Sequence, residues 1–146
     1  MQSRGGIPPG HSVLSLPVSF LSLLNLGEAP GWVDDWIAIM RDGNNGGYAN
    51  DWLVGDNKTG EIAQVELGLK HTPVWRTKDG YFHGSNWARD PKVIAEETRF
   101  DAKNASSSPN ARRARWEQLI ELSKGKIDVA FAQKALGDHY DVIEKK

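Results

Sequence analysis

The chain has 146 residues, of which 39% are apolar and 25% charged, so it fits a single globular domain with a hydrophobic core rather than a disordered segment. The formal net charge of −1 provides no field that would attract nucleic acid or an anionic membrane. Because there is no cysteine, disulfides, thiolate metal sites and a thiol nucleophile are all excluded within these residues.

Residues 1–31 differ from the rest of the chain, because Gly, Pro, Ser and Leu dominate and charged residues are nearly missing. We interpret them as a leader. The apolar run at 11–29 resembles a signal peptide, but Pro17 interrupts it, so an amphipathic or irregular lead-in fits as well. The segment from His11 to Leu26 contains about 16 residues, which is too short for a membrane span of about 20 apolar residues.

The first predicted element is a short helix that starts at Trp32 and ends at Gly43. Acidic residues lie near its start and an arginine near its end, which suits the helix dipole. Its apolar stripe consists of Val33, Trp36, Ile37 and Met40. This spacing of three or four residues is typical of a helix with one buried face.

Two β-hairpins are predicted next. The first has the turn DNKTG, and one face of its second arm presents apolar residues at period two. These residues are Ala63, Val65, Leu67 and Leu69. The second hairpin has the turn TKDG between a Val74-Trp75 arm and a Tyr81-Phe82 arm. The sequence therefore predicts three or four antiparallel strands.

The C-terminal part predicts three helices. Pro91 suits the first position of one helix, and Asp128 and Gly137 suit the two ends of the last. The middle helix, over residues 111–125, is the strongest prediction. Its stripe consists of Ala111, Arg115, Leu119 and Leu122. The order of helix, sheet and helices indicates an α+β domain over residues 32–146.

Residues 42–52, DGNNGGYANDW, combine three glycines with three asparagines directly before a strand. Glycine permits close backbone approach, and the amide side chains of Asn44, Asn45 and Asn50 can donate to a bound oxygen. Such neutral, preorganised donors are what an oxyanion site requires. An Asx-rich turn between helix and strand explains the same residues, and both interpretations stay open.

Other chemistry has weaker signals. The sequence has no P-loop, GxGxxG or GxSxG motif. Asp138, His139 and Asp141 could ligate a metal, but a cluster that satisfies the end of a helix is the more common arrangement. The arginines at 112–115 could contact phosphate, although Glu117 offsets part of their charge. We therefore expect no metal, no cofactor and no nucleic-acid partner.

Several separated motifs together resemble the C-terminal half of the phospholipase B-like family. They lie, in the family's order, at residues 44–70, 76–86, 108–119 and 125–141, and the resemblance covers about residues 33–143. This family belongs to the autoproteolytic N-terminal-nucleophile hydrolases, alongside the penicillin acyltransferase group. The resemblance implies a four-layer αββα sandwich, of which the predicted antiparallel sheet and flanking helices would form a part.

The resemblance also implies site residues. Asn50, in the YANDW motif, corresponds to the oxyanion donor, and Arg76 corresponds to an active-site arginine, with Asp79 as the alternative occupant of that position. The residues expected to frame or contact a substrate are Tyr48, Trp52 and Asn86. For Asn86, a turn-stabilising role is equally compatible with the motif.

In this family, self-cleavage exposes an N-terminal cysteine whose thiol attacks an acyl carbonyl. Without a cysteine, the chain is expected to be part of an amide or ester hydrolase or acyltransferase that is inactive alone. From Met1 and the unrelated leader we expect either a truncated gene product or a start assigned inside a longer or frameshifted reading frame. Two alternatives stay open: a non-catalytic binding or interaction module, and one half of a two-chain hydrolase with a complementing, nucleophile-bearing partner. Exposed sheet edges would favour self-association.

Overall fold

The computed structural model describes residues 31–84 and 86–145, so the predicted leader, apart from Gly31, lies outside the described residues. The described part contains four helices and three strands. They are α1 (Trp32–Arg41), β1 (Asn50–Asp56), β2 (Glu61–Leu67), β3 (Val74–Thr77), α2 (Pro91–Glu97), α3 (Ser108–Leu122) and α4 (Val129–Leu136). The fold is α+β, as predicted. None of these helices is long and apolar enough to cross a membrane.

The sheet is antiparallel with the order β1-β2-β3, so β2 is its central strand. The first hairpin is confirmed, and its register sets Asn50 opposite Leu67. Its turn follows the sequence signal, because the Asp56 carboxylate accepts backbone N–H groups of the turn and Gly60 takes φ +71°. A left-handed backbone at that position favours glycine.

The second predicted hairpin is wrong, because Tyr81–Phe82 does not form a strand. β3 ends at Thr77, where the side-chain hydroxyl donates to the Asp79 carbonyl at 2.6 Å and accepts the Asp79 N–H at 3.1 Å. Gly80 then takes φ +127°. These bonds turn the chain away from the sheet, and the described sheet keeps three strands.

The apolar core lies between α1 and one face of the sheet. Its buried members are Val33, Trp36, Ile37, Ala63 and Val65. Trp36 also meets Trp52 of β1 in an edge-to-face contact with ring centroids 5.7 Å apart. The prediction that Leu69 belongs to this face is wrong: β2 ends two residues earlier, and Leu69 is 58% exposed.

The predicted Pro91 lies at the start of α2, and the predicted Asp128 and Gly137 lie at the two ends of α4. The Asp90 carboxylate accepts the N–H groups of Lys92 and Val93 before α2, and the Asp128 carboxylate caps α4 through Phe131. α3 starts three residues before the predicted Ala111, because Pro109 fits a first helical turn.

The predicted stripe of α3 does not form one buried face. Ala111 is buried, but Leu122 at the other end is 77% exposed. Arg115, between them, donates from Nε and Nη2 to the Asp138 carboxylate at 2.8 and 2.7 Å. This helix therefore attaches to the following segment through an ion pair as well as through apolar packing.

Val65 is fully buried at the centre of β2, against α1. We expect Val65→Ala to lower the free energy of unfolding by about 2 kcal/mol, because it removes buried methyl groups and leaves a cavity. Urea titration followed by tryptophan fluorescence measures this. Leu53→Ala, on an exposed position of β1, is the matched control with an expected loss of about 0.5 kcal/mol. Equal losses in the two variants would contradict the described core.

Candidate functional site

A cavity of about 610 Å³ lies where β1 begins and β2 ends. Its wall is formed by residues 45–46, 49–51, 66–70, 86–88, 93, 96–98 and 100. Leu67, Val93 and Phe100 supply apolar surface, while Asn50 and Asn86 supply amides. Its size falls in the range of roughly 300–1,000 Å³ that is usual for small-molecule sites. We call it the Asn50 cavity.

Asn50 is the first residue of β1 and is half-buried in the wall of this cavity. None of the hydrogen bonds described within residues 31–84 and 86–145 involves its side-chain amide. The amide of Asn50 is therefore free to donate to a bound oxygen. Its role as an oxyanion donor stays a prediction, but its position is compatible with that role.

The neighbouring asparagines build the turn instead. The Asn44 amide donates to the Gly68 carbonyl at 2.6 Å and its oxygen accepts the Gly46 N–H at 3.0 Å. The Asn45 oxygen accepts the Gly47 N–H at 2.9 Å. For these two asparagines the Asx-turn interpretation is confirmed, and they hold the chain that leads to Asn50 against the end of β2.

Arg76 lies far from Asn50. It sits on β3 opposite Ala63, whereas Asn50 sits on β1 opposite Leu67. Ala63 and Leu67 are four residues apart on β2, so the displacement along the strand alone is roughly 13 Å. Its guanidinium donates to Glu61 at 2.7 Å and pairs with Asp34 of α1. Hydrogen bonds to these two carboxylates raise the pKa of Arg76 further. The Arg76 side chain therefore links β3 to α1 through an ion pair and lies outside the cavity wall.

Tyr48 and Trp52 also lie outside the cavity wall. Their rings pack against each other with centroids 5.9 Å apart, but Trp52 faces the core under α1 and Tyr48 is 66% exposed. They therefore pack on the side of β1 that faces α1 and support the strand that carries Asn50. The structure does not bring them to the cavity.

Asn86 does line the cavity. It has a left-handed backbone with φ 60°, and its side-chain oxygen accepts a hydrogen bond from Arg112 at 2.9 Å. Asparagine tolerates this conformation better than most residues. The turn role is therefore supported, and contact with a ligand stays a prediction.

The sequence reasoning missed a polar layer on the sheet face opposite α1, in which Gln64, Glu66 and His83 are buried and Asp51 is half-buried. Gln64 is fully buried and donates to Asp51 at 2.6 Å, while Glu66 accepts the backbone N–H groups of Arg89 and Asp90. The available signal was the alternation in β2, where Gln64 and Glu66 occupy the face that the apolar residues leave.

The electrostatics of this layer favour neutral groups. Burial raises the pKa of Asp51 to about 6, and the Glu66 carboxylate opposite adds to the shift. Burial likewise raises the pKa of Glu66 and lowers the pKa of His83. One Asp51 oxygen is buried with no hydrogen-bond partner among the described residues. An ionised carboxylate there lacks full compensation, so Asp51 binds its proton tightly.

No group of three histidine, aspartate or glutamate side chains in the described part is arranged to hold a metal ion. In the DHYD segment, Asp138 pairs with Arg115 and also accepts the Tyr140 N–H at 3.1 Å. Asp141 accepts the Ile143 N–H at 2.8 Å. These carboxylates satisfy the chain after α4, as the structural interpretation of this segment predicted.

Asp51 should make stability depend on pH. The unfolded side chain loses its proton near pH 3.8, whereas the folded one keeps it to about pH 6. Between these values the folded state binds more protons, so the contribution of Asp51 to stability falls as the pH rises and is constant above the window. We therefore expect Asp51→Asn to gain stability relative to wild type from about pH 4 to about pH 6.

Urea titrations at several pH values measure this difference. Asp79→Asn removes an exposed carboxylate in the turn after β3 and is the control for the loss of one negative charge. If the difference in the free energy of unfolding between Asp51→Asn and wild type stays constant from pH 4 to pH 6, the raised pKa of Asp51 is contradicted.

Arg76 should act as a structural tie. We expect Arg76→Ala to lower the melting temperature by a few degrees at most, because its ion pairs are partly exposed. About 0.5 M NaCl should reduce the difference from wild type, since salt screens such pairs. Thermal unfolding at low and high salt tests this, with Lys78→Ala as the control. A salt-independent loss would contradict the ion-pair role.

No family model, no curated protein and no solved structure matches this chain. Its function is therefore inferred from the Asn50 cavity and the residues around it.

Proposed function

We propose that this chain is the acyl-binding, oxyanion-donating part of a phospholipase B-like amide or ester hydrolase. The observation that carries the proposal is the Asn50 side-chain amide, which is half-buried in the wall of a ligand-sized cavity and has no described hydrogen-bond partner. The motif resemblance of residues 44–70 is independent of that geometry and names the same residue.

The cavity suits an acyl group. An aliphatic chain would lie against Leu67, Val93 and Phe100, and its carbonyl oxygen would accept a hydrogen bond from the Asn50 amide. Negative charge develops on this oxygen when a nucleophile adds to the carbonyl carbon, and a fixed neutral donor then stabilises it more strongly than it stabilises the substrate. Asn50 is held by the β1 ladder, which limits its freedom to turn away.

The covalent step needs a nucleophile from elsewhere. These residues include no cysteine, so a thiol that attacks the carbonyl would come from outside residues 1–146. A two-chain hydrolase is favoured by one observation: β1, which begins with Asn50, is an edge strand of the described sheet. A partner could add a strand along this edge and bring its nucleophile near Asn50. Alone, the chain would bind an acyl compound without turnover.

Binding of hexanamide tests the proposal, because this neutral acyl amide has a carbonyl oxygen and an apolar tail. We expect saturable binding that perturbs the cavity residues in NMR titrations. Asn50→Ala should weaken it about five- to tenfold, the effect of losing one neutral hydrogen bond in a partly buried site. Asn57→Ala, in the exposed turn between β1 and β2, is the matched control and should bind like wild type.

Two results would contradict the proposal. Equal affinity of wild type and Asn50→Ala for hexanamide would remove Asn50 from the site. Hydrolysis of an acyl amide or ester by the purified chain, lost in Asn50→Ala, would show that no second polypeptide is needed.

A further inference from the structure

The turn between β2 and β3 presents three consecutive backbone N–H groups to one carboxylate. The Glu97 oxygens accept the N–H of Leu69 at 2.5 Å, of Lys70 at 3.1 Å and of His71 at 2.9 Å. Converging backbone N–H groups of this kind form a concavity that binds anions. Here the anion comes from the same chain, from the last residue of α2.

The helix that carries Glu97 does not explain why a carboxylate lies at this position. A negative charge at the C-terminal end of a helix opposes the helix dipole, so α2 itself gains nothing from it. The turn is tight at Gly68, because a Cβ there would come within 2.8 Å of the His71 carbonyl oxygen and within 2.7 and 2.8 Å of the two Glu97 oxygens. Gly68 thus permits a close approach that any other residue would block.

We propose that the turn at residues 68–71 is a carboxylate-binding site, that Glu97 is its internal ligand, and that this contact holds α2 as a wall of the Asn50 cavity. Residues 68–70 and 96–97 all line that cavity, so the contact joins two sides of it. The consequence for the cavity rests on the proposed function, whereas the carboxylate site itself does not.

The ionisation of Glu97 agrees with this role. Its partial burial alone would raise the pKa of Glu97, but the backbone N–H donors of Lys70, His71 and Leu69 outweigh burial and hold the pKa below its ordinary value. Carboxylates that accept two or three backbone N–H bonds behave in this way. The turn therefore binds the ionised form.

Chemical rescue tests the site. Glu97→Ala empties the turn, and we expect its melting temperature to fall by about 5 °C or more, because several charge-assisted hydrogen bonds are lost. About 100 mM sodium formate should restore most of this loss with a saturating dose dependence, since formate fits the same three donors. Sodium chloride at equal ionic strength should not.

Two variants control the experiment. Glu96→Ala removes the neighbouring carboxylate, which bonds the His71 side chain at 2.9 Å and accepts none of the three N–H groups of the turn. Formate should stabilise this variant no more than chloride does. Glu97→Gln keeps the side chain in the turn but replaces one acceptor with a donor. It should be destabilised and resist rescue, and it keeps the test valid if Glu97→Ala does not fold.

The cavity provides the second readout. Glu97→Ala should weaken hexanamide binding severalfold, and formate should restore it in parallel with the melting temperature. The inference is overturned if formate stabilises Glu97→Ala no more than chloride does, or if it rescues Glu97→Gln equally well. If wild type binds no hexanamide, the proposed function fails, while the melting temperatures still decide whether the turn is a carboxylate site.

Discussion

The burial of β2 on both faces is the constraint on which the other features depend. One face presents Ala63 and Val65 to α1, and the other presents Gln64 and Glu66 to the segment that follows β3. A slip of one residue would place Glu66 among the tryptophans of the apolar core. The cost of burying an unpaired carboxylate there fixes the register.

This register places the candidate site. With β2 fixed, Asn50 lies opposite Leu67 at the end of the ladder, and Asp51 lies opposite Glu66 on the other face. The turn before β1 must then fold over the end of β2, where Asn44 bonds the Gly68 carbonyl. The cavity therefore forms where the ladder stops, because the chain on both sides leaves the sheet at that point.

The sequence predicted what local signals determine. The stripe of α1, the turn between β1 and β2, Pro91 at the start of α2 and the Asp128 cap depend on residues close in the chain, and the structure has them. The error at Tyr81–Phe82 has a physical cause, because the turn after β3 uses its hydrogen bonds internally rather than pairing a fourth strand. The tie between Arg76 and α1 joins residues 42 positions apart and leaves no local signal.

The difference between local signals and long-range contacts also explains which parts of the candidate site the sequence predicted. YANDW drew attention to Asn50, but the polar layer and the Glu97 contact depend on segments that approach only after folding. These contacts occupy two carboxylates of the cavity: Glu66 accepts backbone N–H groups of the segment after β3, and Glu97 accepts those of the turn between β2 and β3.

Their occupation changes what the cavity offers to a ligand. Although carboxylates are numerous in its wall, the protein's own N–H groups already use the oxygens of Glu66 and Glu97, and Gln64 uses one oxygen of Asp51. The Asn50 amide has no such partner among the described residues. A ligand therefore meets a free hydrogen-bond donor beside apolar side chains, and a carbonyl on an aliphatic chain complements that pair.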